Sequence, residues 1–263
     1  MSVPARDVGF SRLYRGGASR EARAVAIEAP IALEFNGFAL AVMLATPDRI
    51  EDFCVGFAIA EGLLTPGAGA PSVAVSQTPL GYVARVQLPT ASDALIARRI
   101  RTRVSEGSCG LCGIESLETL AALPPTPTAP LHLSFDTILR AANALSAHQA
   151  LGQATGATHA AALANPAGTI ALVAEDVGRH NALDKAIGAR QRLGLEGDYF
   201  ALSTARASFE LVEKAARANL GALVTLSAPT TFAVDRAAAV GLPLYSLARG
   251  DSVLRLDSEA LGP

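Results

Sequence analysis

Thr169-Ile170-Ala171-Leu172-Val173-Ala174 followed by Glu175-Asp176-Val177-Gly178-Arg179-His180-Asn181-Ala182-Leu183-Asp184-Lys185 decides the fold. The first six residues are apolar and partly β-branched, as a strand requires. The polar turn bends at Gly178, and the segment Asn181 to Leu193 then has helical periodicity. The same change recurs downstream. Phe200 to Thr204 reads as a strand and Ser208 to Asn219 as a helix. Ala222 to Leu226, Thr230 to Val240 and Leu242 to Leu247 continue as strand, helix and strand. Such alternation predicts an α/β unit with helices on both faces of a sheet. Upstream, Ser134 caps a helix reaching about His148, and Thr158 to Ala164 pairs with Thr169 to Ala174 through a turn at Asn165-Pro166-Ala167-Gly168.

The residues before this unit follow a different pattern. Pro124-Pro125-Thr126-Pro127-Thr128-Ala129-Pro130 is a linker. Ile31 to Phe35 and Phe38 to Ala45 flank Asn36-Gly37, a strong hairpin signal. Thr46-Pro47-Asp48 predicts a helix start capped by Thr46, running to about Glu61. Val73 to Ser76 and Gly81 to Leu88 predict a second hairpin. Further helices are expected over Asp93 to Arg103 and Glu115 to Ala122. The division expected is a poorly ordered tail (1–24), an N-terminal α+β part (25–123) and an α/β part (131–258).

The chain has 263 residues, 50% of them hydrophobic and 17% charged, so it can build a sizeable core. A net charge of -2 argues against general nucleic-acid binding. No run of 18 or more uncharged apolar residues suggests a membrane span. Residues 1–23 lack the apolar core of a secretion signal, so a cytoplasmic protein is expected. Three cysteines in such a chain argue against a disulfide scaffold.

Two of those cysteines form the second informative segment, Gly107-Ser108-Cys109-Gly110-Leu111-Cys112-Gly113. Only a thiolate attacks or ligates, and the basic helix upstream would favour that form. The glycines let a loop swing and a large partner approach. Three readings remain open: half a zinc site, a dithiol redox couple, or a mobile thiol carrying sulfur as persulfide. Zinc needs two more ligands, and a thioredoxin-like couple belongs inside a βαβ pattern. Cys54 reads as a buried core residue.

In an α/β sheet, ligands bind at the carboxyl ends of strands. Gly178 would permit close approach, the helix start would favour an anion, and Arg179 could bind phosphate bidentately. Ser203-Thr204-Ala205-Arg206-Ala207-Ser208 and Ser227-Ala228-Pro229-Thr230-Thr231 form comparable junctions. Together they predict a hydroxyl-rich pocket with arginine on two walls. Singly, Ser208 and Thr230 are explained as helix caps, and His159 and His180 as satisfied core histidines.

Gly107-Ser-Cys-Gly-Leu-Cys-Gly113, Thr155-Gly-Ala-Thr-His-Ala-Ala-Ala162, Glu175 through Lys185, and Ala205-Arg-Ala-Ser-Phe-Glu210 jointly resemble the FdhD family, the formate dehydrogenase accessory sulfurtransferases. The resemblance covers about Pro30 to about Leu256. It implies that Cys109 takes sulfur as persulfide from a cysteine desulfurase, with Cys112 assisting or relaying. The sulfur would pass to the molybdenum (or tungsten) of a bis(molybdopterin guanine dinucleotide) cofactor needed by formate dehydrogenase. It implies a homodimer and a site for the guanine nucleotide, which GDP would mimic. Carried across to that site are His159, Asp176, Gly178, Arg179, His180, Ser203, Arg206, Ser227 and Thr230. The loop Leu247-Ala248-Arg249-Gly250-Asp251-Ser252 corresponds to a cofactor-binding stretch, where the family tends to have Gly-Arg in place of Asp251-Ser252. The implied fold is similar to cytidine deaminases. Zinc deaminases need His-x-Glu and Pro-Cys-x-x-Cys, and this chain has His180-Asn181-Ala182 and Thr204-Ala205-Arg206-Ala207-Ser208 at those junctions, so no resident metal is expected. Two other functions remain open: a cofactor-binding chaperone, needing the pocket but not the thiols, and a thiol-disulfide oxidoreductase, needing the reverse.

Overall fold

The computed structural model describes residues 3–89 and 129–257, together with 93, 94, 96 and 97. The thiol loop (105–114), the helix over 115–122 and most of the 93–103 helix and the linker lie outside these residues.

Chain order among the described residues is β1 (Ala5–Tyr14), β2 (Gly17–Ala26), β3 (Ala29–Phe35), β4 (Phe38–Ala45), α1 (Ile50–Ala60), β5 (Ser72–Thr78) and β6 (Gly81–Gln87). Then follow α2 (Phe135–Leu145), a short 3-10 turn (Ser146–His148), α3 (Ala150–Thr155), β7 (His159–Ala164), β8 (Ile170–Asp176) and α4 (Arg179–Arg192). The chain continues with β9 (Phe200–Ser203), α5 (Phe209–Arg217), β10 (Leu223–Thr225), α6 (Thr231–Val240), β11 (Leu244–Arg249) and β12 (Ser252–Arg255). They form a two-stranded ribbon β1-β2, a four-stranded sheet β4-β3-β6-β5 and a six-stranded sheet β12-β11-β10-β9-β7-β8.

The six-stranded sheet is covered on both faces, and the alternation of its side chains shows how. Ala160, Ala162 and Ala164 of β7, with Phe200 and Leu202 of β9, pack against Ile138, Ala141 and Leu145 of α2. The intervening Ala161, Leu163 and Ala201 face the other way, towards Leu183 and Ile187 of α4 and Leu211 of α5. Strands β9, β10 and β11 are parallel, while β7 runs antiparallel to β8 and β9. The same core continues through Phe53 and Phe57 of α1 to Ile31, Leu33 and Phe35 of the four-stranded sheet. The parts expected at 25–123 and 131–258 therefore share one apolar core.

Helix α1 is buried almost all round because it lies between the small sheet and α4. Glycine sets its distance from α4. A Cβ on Gly56 would sit 1.8 Å from the Asp184 carbonyl oxygen, and one on Gly188 would sit 1.8 Å from that of Asp52. The two backbones thus touch at the crossing. Cys54 lies on this helix, fully buried, and burial with the nearby Glu51 charge pushes its thiol up to about 12, which leaves it inert.

Three expectations are corrected. Residues 5–26 are not a poorly ordered tail but the β1-β2 ribbon, paired from Ala5↔Ala26 to Tyr14↔Gly17. Most of its side chains are exposed, so it leaves no burial pattern to read; the backbone ladder and the Arg12–Glu21 ion pair (2.9 Å) hold it. Thr46 does not cap α1, which begins after Arg49 in a left-handed conformation (φ 50°). Instead Thr46 is drawn inward by buried charge. Its N–H donates to Asp176 Oδ2 (3.0 Å), its Oγ1 accepts from the Val177 N–H (3.2 Å) and its carbonyl accepts from Lys185 Nζ (2.9 Å). The helix expected from Ser134 to about His148 is present, its last three residues (Ser146–His148) wound as the 3-10 turn. Finally, the segment 247–252 is not a loop after the last strand, because β12 turns back onto β11 through Gly250 (φ 70°).

The hairpin expected at Asn36-Gly37 is present, with both turn residues at positive φ (50° and 82°), the geometry that favours this dipeptide. Asn36 also accepts from the Leu88 N–H (2.7 Å), which fastens the turn to the end of β6.

Gly188→Ala is expected to destabilise the chain by about 3 kcal/mol, because the methyl group would force α1 and α4 apart. Denaturant unfolding should show a lower midpoint, whereas Gly194→Ala, with no atom within 4 Å of its Cβ position but a positive φ (61°), should show a smaller loss.

Candidate functional site

The turn after β8 is built around Asp176, which has no exposed surface. Its Oδ1 accepts from the Gly178 N–H (2.7 Å) and Asn181 Nδ2 (3.0 Å). Its Oδ2 accepts from the Thr46 N–H (3.0 Å) and lies 2.7 Å from Lys185 Nζ. Asp176 is thus fully engaged inside the protein and is not placed to touch a ligand. Lys185, also fully buried, reaches Asp48 Oδ1 (2.5 Å) as well. Buried charges survive only when paired and hydrogen-bonded, and this set meets that condition. Its consequence is positional: it fixes the turn at Val177-Gly178 and so the start of α4.

Gly178 is the N-cap residue of α4, and a Cβ there would come 2.7 Å from Asn181 Nδ2. Arg179 and His180 follow in the first turn, each partly exposed. His180 Nε2 lies 2.6 Å from Glu210 Oε2 at the start of α5. Both atoms are buried, and neither has a hydrogen-bond partner among the described residues. Burial lowers the His180 pKa, and the pull of Glu210 in the other direction does not overcome it. Burial pushes the Glu210 carboxyl up, but the contact with His180 and the charges of Lys214 and Arg179 outweigh it, so it rests below the ordinary carboxylate range. The pair is therefore a neutral imidazole against a carboxylate.

A polar seam crosses the ends of four strands beside this pair. Thr204 Oγ1, just past β9, accepts from the Ala160 N–H (3.0 Å) and lies 3.4 Å from His159 Nδ1. Ser227 Oγ, past β10, donates to the Thr204 carbonyl (3.2 Å). Ser227's own carbonyl accepts from the Leu247 N–H (3.4 Å) and from Thr225 Oγ1 (2.8 Å). Leu247 holds a positive φ (52°). Burial, and next the Arg179 charge, lower the His159 pKa. Ser208 and Thr230 do cap α5 and α6, accepting from the Leu211 and Ala233 N–H groups. Just inside those caps, Phe209 and Phe232 stack with ring centroids 4.4 Å apart.

The structure thus brings His159, Arg179, His180 and Ser227 to the strand ends, with Thr230 capping the next helix. Arg206 is exposed on the same junction and makes no ion pair among the described residues. Ser203 is buried, its Oγ accepting from the Ala205 N–H (3.2 Å), so it shapes the turn from within. Within the 247–252 hairpin, Ala248 is buried on the face of the sheet that α2 covers, while Arg249, Gly250, Asp251 and Ser252 are exposed. Cys109 and Cys112 lie outside the described residues. Thr204 and Glu210 were missed as site residues. Each lies inside a polar junction or family motif, but only the fold shows what its side chain meets. Among the described residues, no group of three or more His, Cys, Asp or Glu side chains is placed to hold a metal ion.

The model of the FdhD/NarQ family matches residues 26–255. This chain belongs to that family. Its relatives include proteins named sulfur carrier protein FdhD. One from Xanthomonas axonopodis is 40% identical over 248 residues, covering 94% of this chain and 88% of that one. Another from Bordetella parapertussis is 40% identical over 239 residues, covering 89% and 87%. A crystal structure from Desulfotalea psychrophila, named as a formate dehydrogenase accessory protein, superposes with a TM-score of 0.76 at 21% identity. It covers 97% of this chain and 98% of its own. That likeness establishes a shared mixed α/β fold for this FdhD/NarQ member.

Both site histidines titrate below their ordinary value of 6.5. The unfolded chain takes up these protons more readily than the folded one. Stability is therefore complete above about pH 6.5 and falls as the pH drops through the folded values. Thermal unfolding from pH 7.5 down to 5 should show this loss, and His180→Gln should flatten it.

Proposed function

We propose that this chain is a sulfurtransferase that serves a formate dehydrogenase. The observation that carries this reading is the Cys109–Cys112 pair between glycines, in a chain 40% identical over nearly its whole length to proteins named as sulfur carriers. The loop glycines suit a thiol that must visit two partners in turn. A cysteine desulfurase would load the Cys109 thiolate, giving a persulfide, with Cys112 as assistant or relay. The acceptor would be the molybdenum or tungsten of a bis(molybdopterin guanine dinucleotide) cofactor, bound as substrate before it enters formate dehydrogenase.

The polar seam at the strand ends supports the second half of this reading. A guanine dinucleotide presents phosphates and hydrogen-bonding edges. Arg179 and Arg206 supply cations for the former, and Ser227 and Thr230 contribute hydroxyls beside the start of α6. The proposal also includes assembly as a homodimer and action in the cytoplasm. The helices add one consistent fact: among the described residues, none is long and apolar enough to cross a membrane.

Intact-protein mass spectrometry after incubation with a cysteine desulfurase and cysteine tests the carrier. Wild type should gain one or more sulfur atoms, and Cys109→Ala should gain none and should fail to activate formate dehydrogenase while remaining folded. Absence of any gain on wild type would leave a cofactor-binding chaperone in its place. Arg206→Ala should weaken GDP binding by about tenfold, the loss of one charge-assisted contact, as measured by calorimetry; unchanged affinity would remove Arg206 from the site.

A further inference from the structure

The β1-β2 ladder runs from Ala5↔Ala26 to Tyr14↔Gly17, yet no residue of either strand is buried. A two-stranded ribbon alone in water is marginal at best. Its base is braced: β2 lies against α3, whose Leu151 and Gly152 N–H groups donate to Glu175 of β8 (2.9 and 2.7 Å). Strand pairing sets which side chains share a face. Val8, Phe10 and Tyr14 stand on one side with Arg6, Arg23 and the Arg12–Glu21 ion pair. Phe10 and Tyr14 are 46% and 58% exposed. Aromatic residues and arginine are the types enriched where proteins meet. Residues 5–26 carry five arginines and two carboxylates, a net +3, which leaves -5 on the rest of the chain.

A second open face lies on the same chain. In the four-stranded sheet, Ile31, Leu33 and Phe35 point into the core with α1. The alternate residues of β3, and their ladder partners, therefore point outwards. Pro30 pairs with Leu44, and Ala32 with both Val42 and Val83. Val42 and Leu44 are 53% and 57% exposed. Single apolar residues on a surface need no explanation, but a contiguous apolar patch across three strands marks a place where something binds.

We infer that these two faces cover each other between two copies of the chain, the ribbon of each copy lying across the outer side of β4-β3-β6 of the other. This rests on the homodimer of the proposed function and assigns the surfaces that make it. A second copy is the occupant that the chemistry fits. The chain carries both the arm and the face that receives it, and the arm is basic while the remainder is acidic. A twofold axis gives every arm one face, so closed symmetry leaves neither uncovered. The area suffices as well. A ten-residue strand spans about 33 Å and a two-stranded ribbon is about 10 Å wide, so two exchanged arms and their receiving faces bury roughly 1,200 Å², enough for a stable interface. Docking of this kind supplies the cover that the ribbon lacks in a single copy.

The experiment uses the full-length chain over a range of concentrations. Sedimentation equilibrium reads the dimer, and amide hydrogen exchange reads the ribbon. Wild type should dimerise, and exchange along β1 and β2 should slow as the dimer fills. Phe10→Ser on the arm and Leu44→Ser on the face should each raise the dimer dissociation constant by about tenfold. Both side chains are about half exposed in one copy, so the melting temperature of the dilute protein should stay at the wild-type value. An equimolar mixture of the two variants should recover part of the lost affinity, because a mixed pair keeps one intact arm against one intact face. If both variants dimerise as wild type does, or if the mixture recovers nothing, arm and face do not meet and the inference fails while the homodimer stands. A monomeric wild type whose ribbon exchange slows only when a cysteine desulfurase is added would give the ribbon to that partner and overturn the inference. A wild type that stays monomeric throughout removes the homodimer and this inference together, and sulfur loading of Cys109 is still decided by its own measurement.

Discussion

The close crossing of α1 and α4 is the constraint on which the rest of the structure depends. Gly56 and Gly188 let the two backbones meet where any side chain would collide with a carbonyl oxygen. That contact joins the small sheet, through α1, to the large sheet, through α4, and makes one core of two segments far apart in sequence. Dispersion and desolvation act strongly at such a distance because few voids remain. It also brings Thr46, at the foot of α1, within reach of the turn that follows β8.

That proximity lets two charges be buried. Asp176 ends β8 and Lys185 lies inside α4, and Thr46 offers both an N–H and a carbonyl to them. Neither charge would be tolerated in the interior alone. Together they fix the path from β8 into α4, so that Gly178, Arg179 and His180 emerge at the carboxyl ends of the central strands. Four residues further along, Asp184 and Lys214 repeat the arrangement against α5, leaving His180 and Glu210 at the open edge. The site is thus the exposed margin of a buried electrostatic framework. The depressed histidine pKa values follow from the same low-dielectric surroundings.

Several of these residues look alike in sequence yet do different work. Asp176 and Arg179 stand three positions apart in one motif, but the first is locked inside and the second is partly exposed. Ser203 and Ser227 close equivalent strands, but one hydroxyl bonds its own turn and the other spans to its neighbour. The FdhD/NarQ family motif therefore mixes residues that build the site with residues that line it.

The sequence by itself determined most elements and the class of fold. Periodicity, turn dipeptides and caps are local properties, so the Asn36-Gly37 hairpin, the caps at Ser134, Ser208 and Thr230, and the alternation after Thr158 were legible in it. So were the thiol pair and the joint motifs that mark the family. Pairings that depend on partners distant in the chain were not legible. The β1-β2 ribbon has exposed faces and leaves no apolar pattern; β12 is short and pairs backwards; Thr46 gave up a cap for a buried carboxylate 130 residues away. Only the tertiary structure decided that Asp176 is a scaffold and that Glu210 meets His180. Burial and pairing belong to the three-dimensional arrangement, and no spacing along the chain records them.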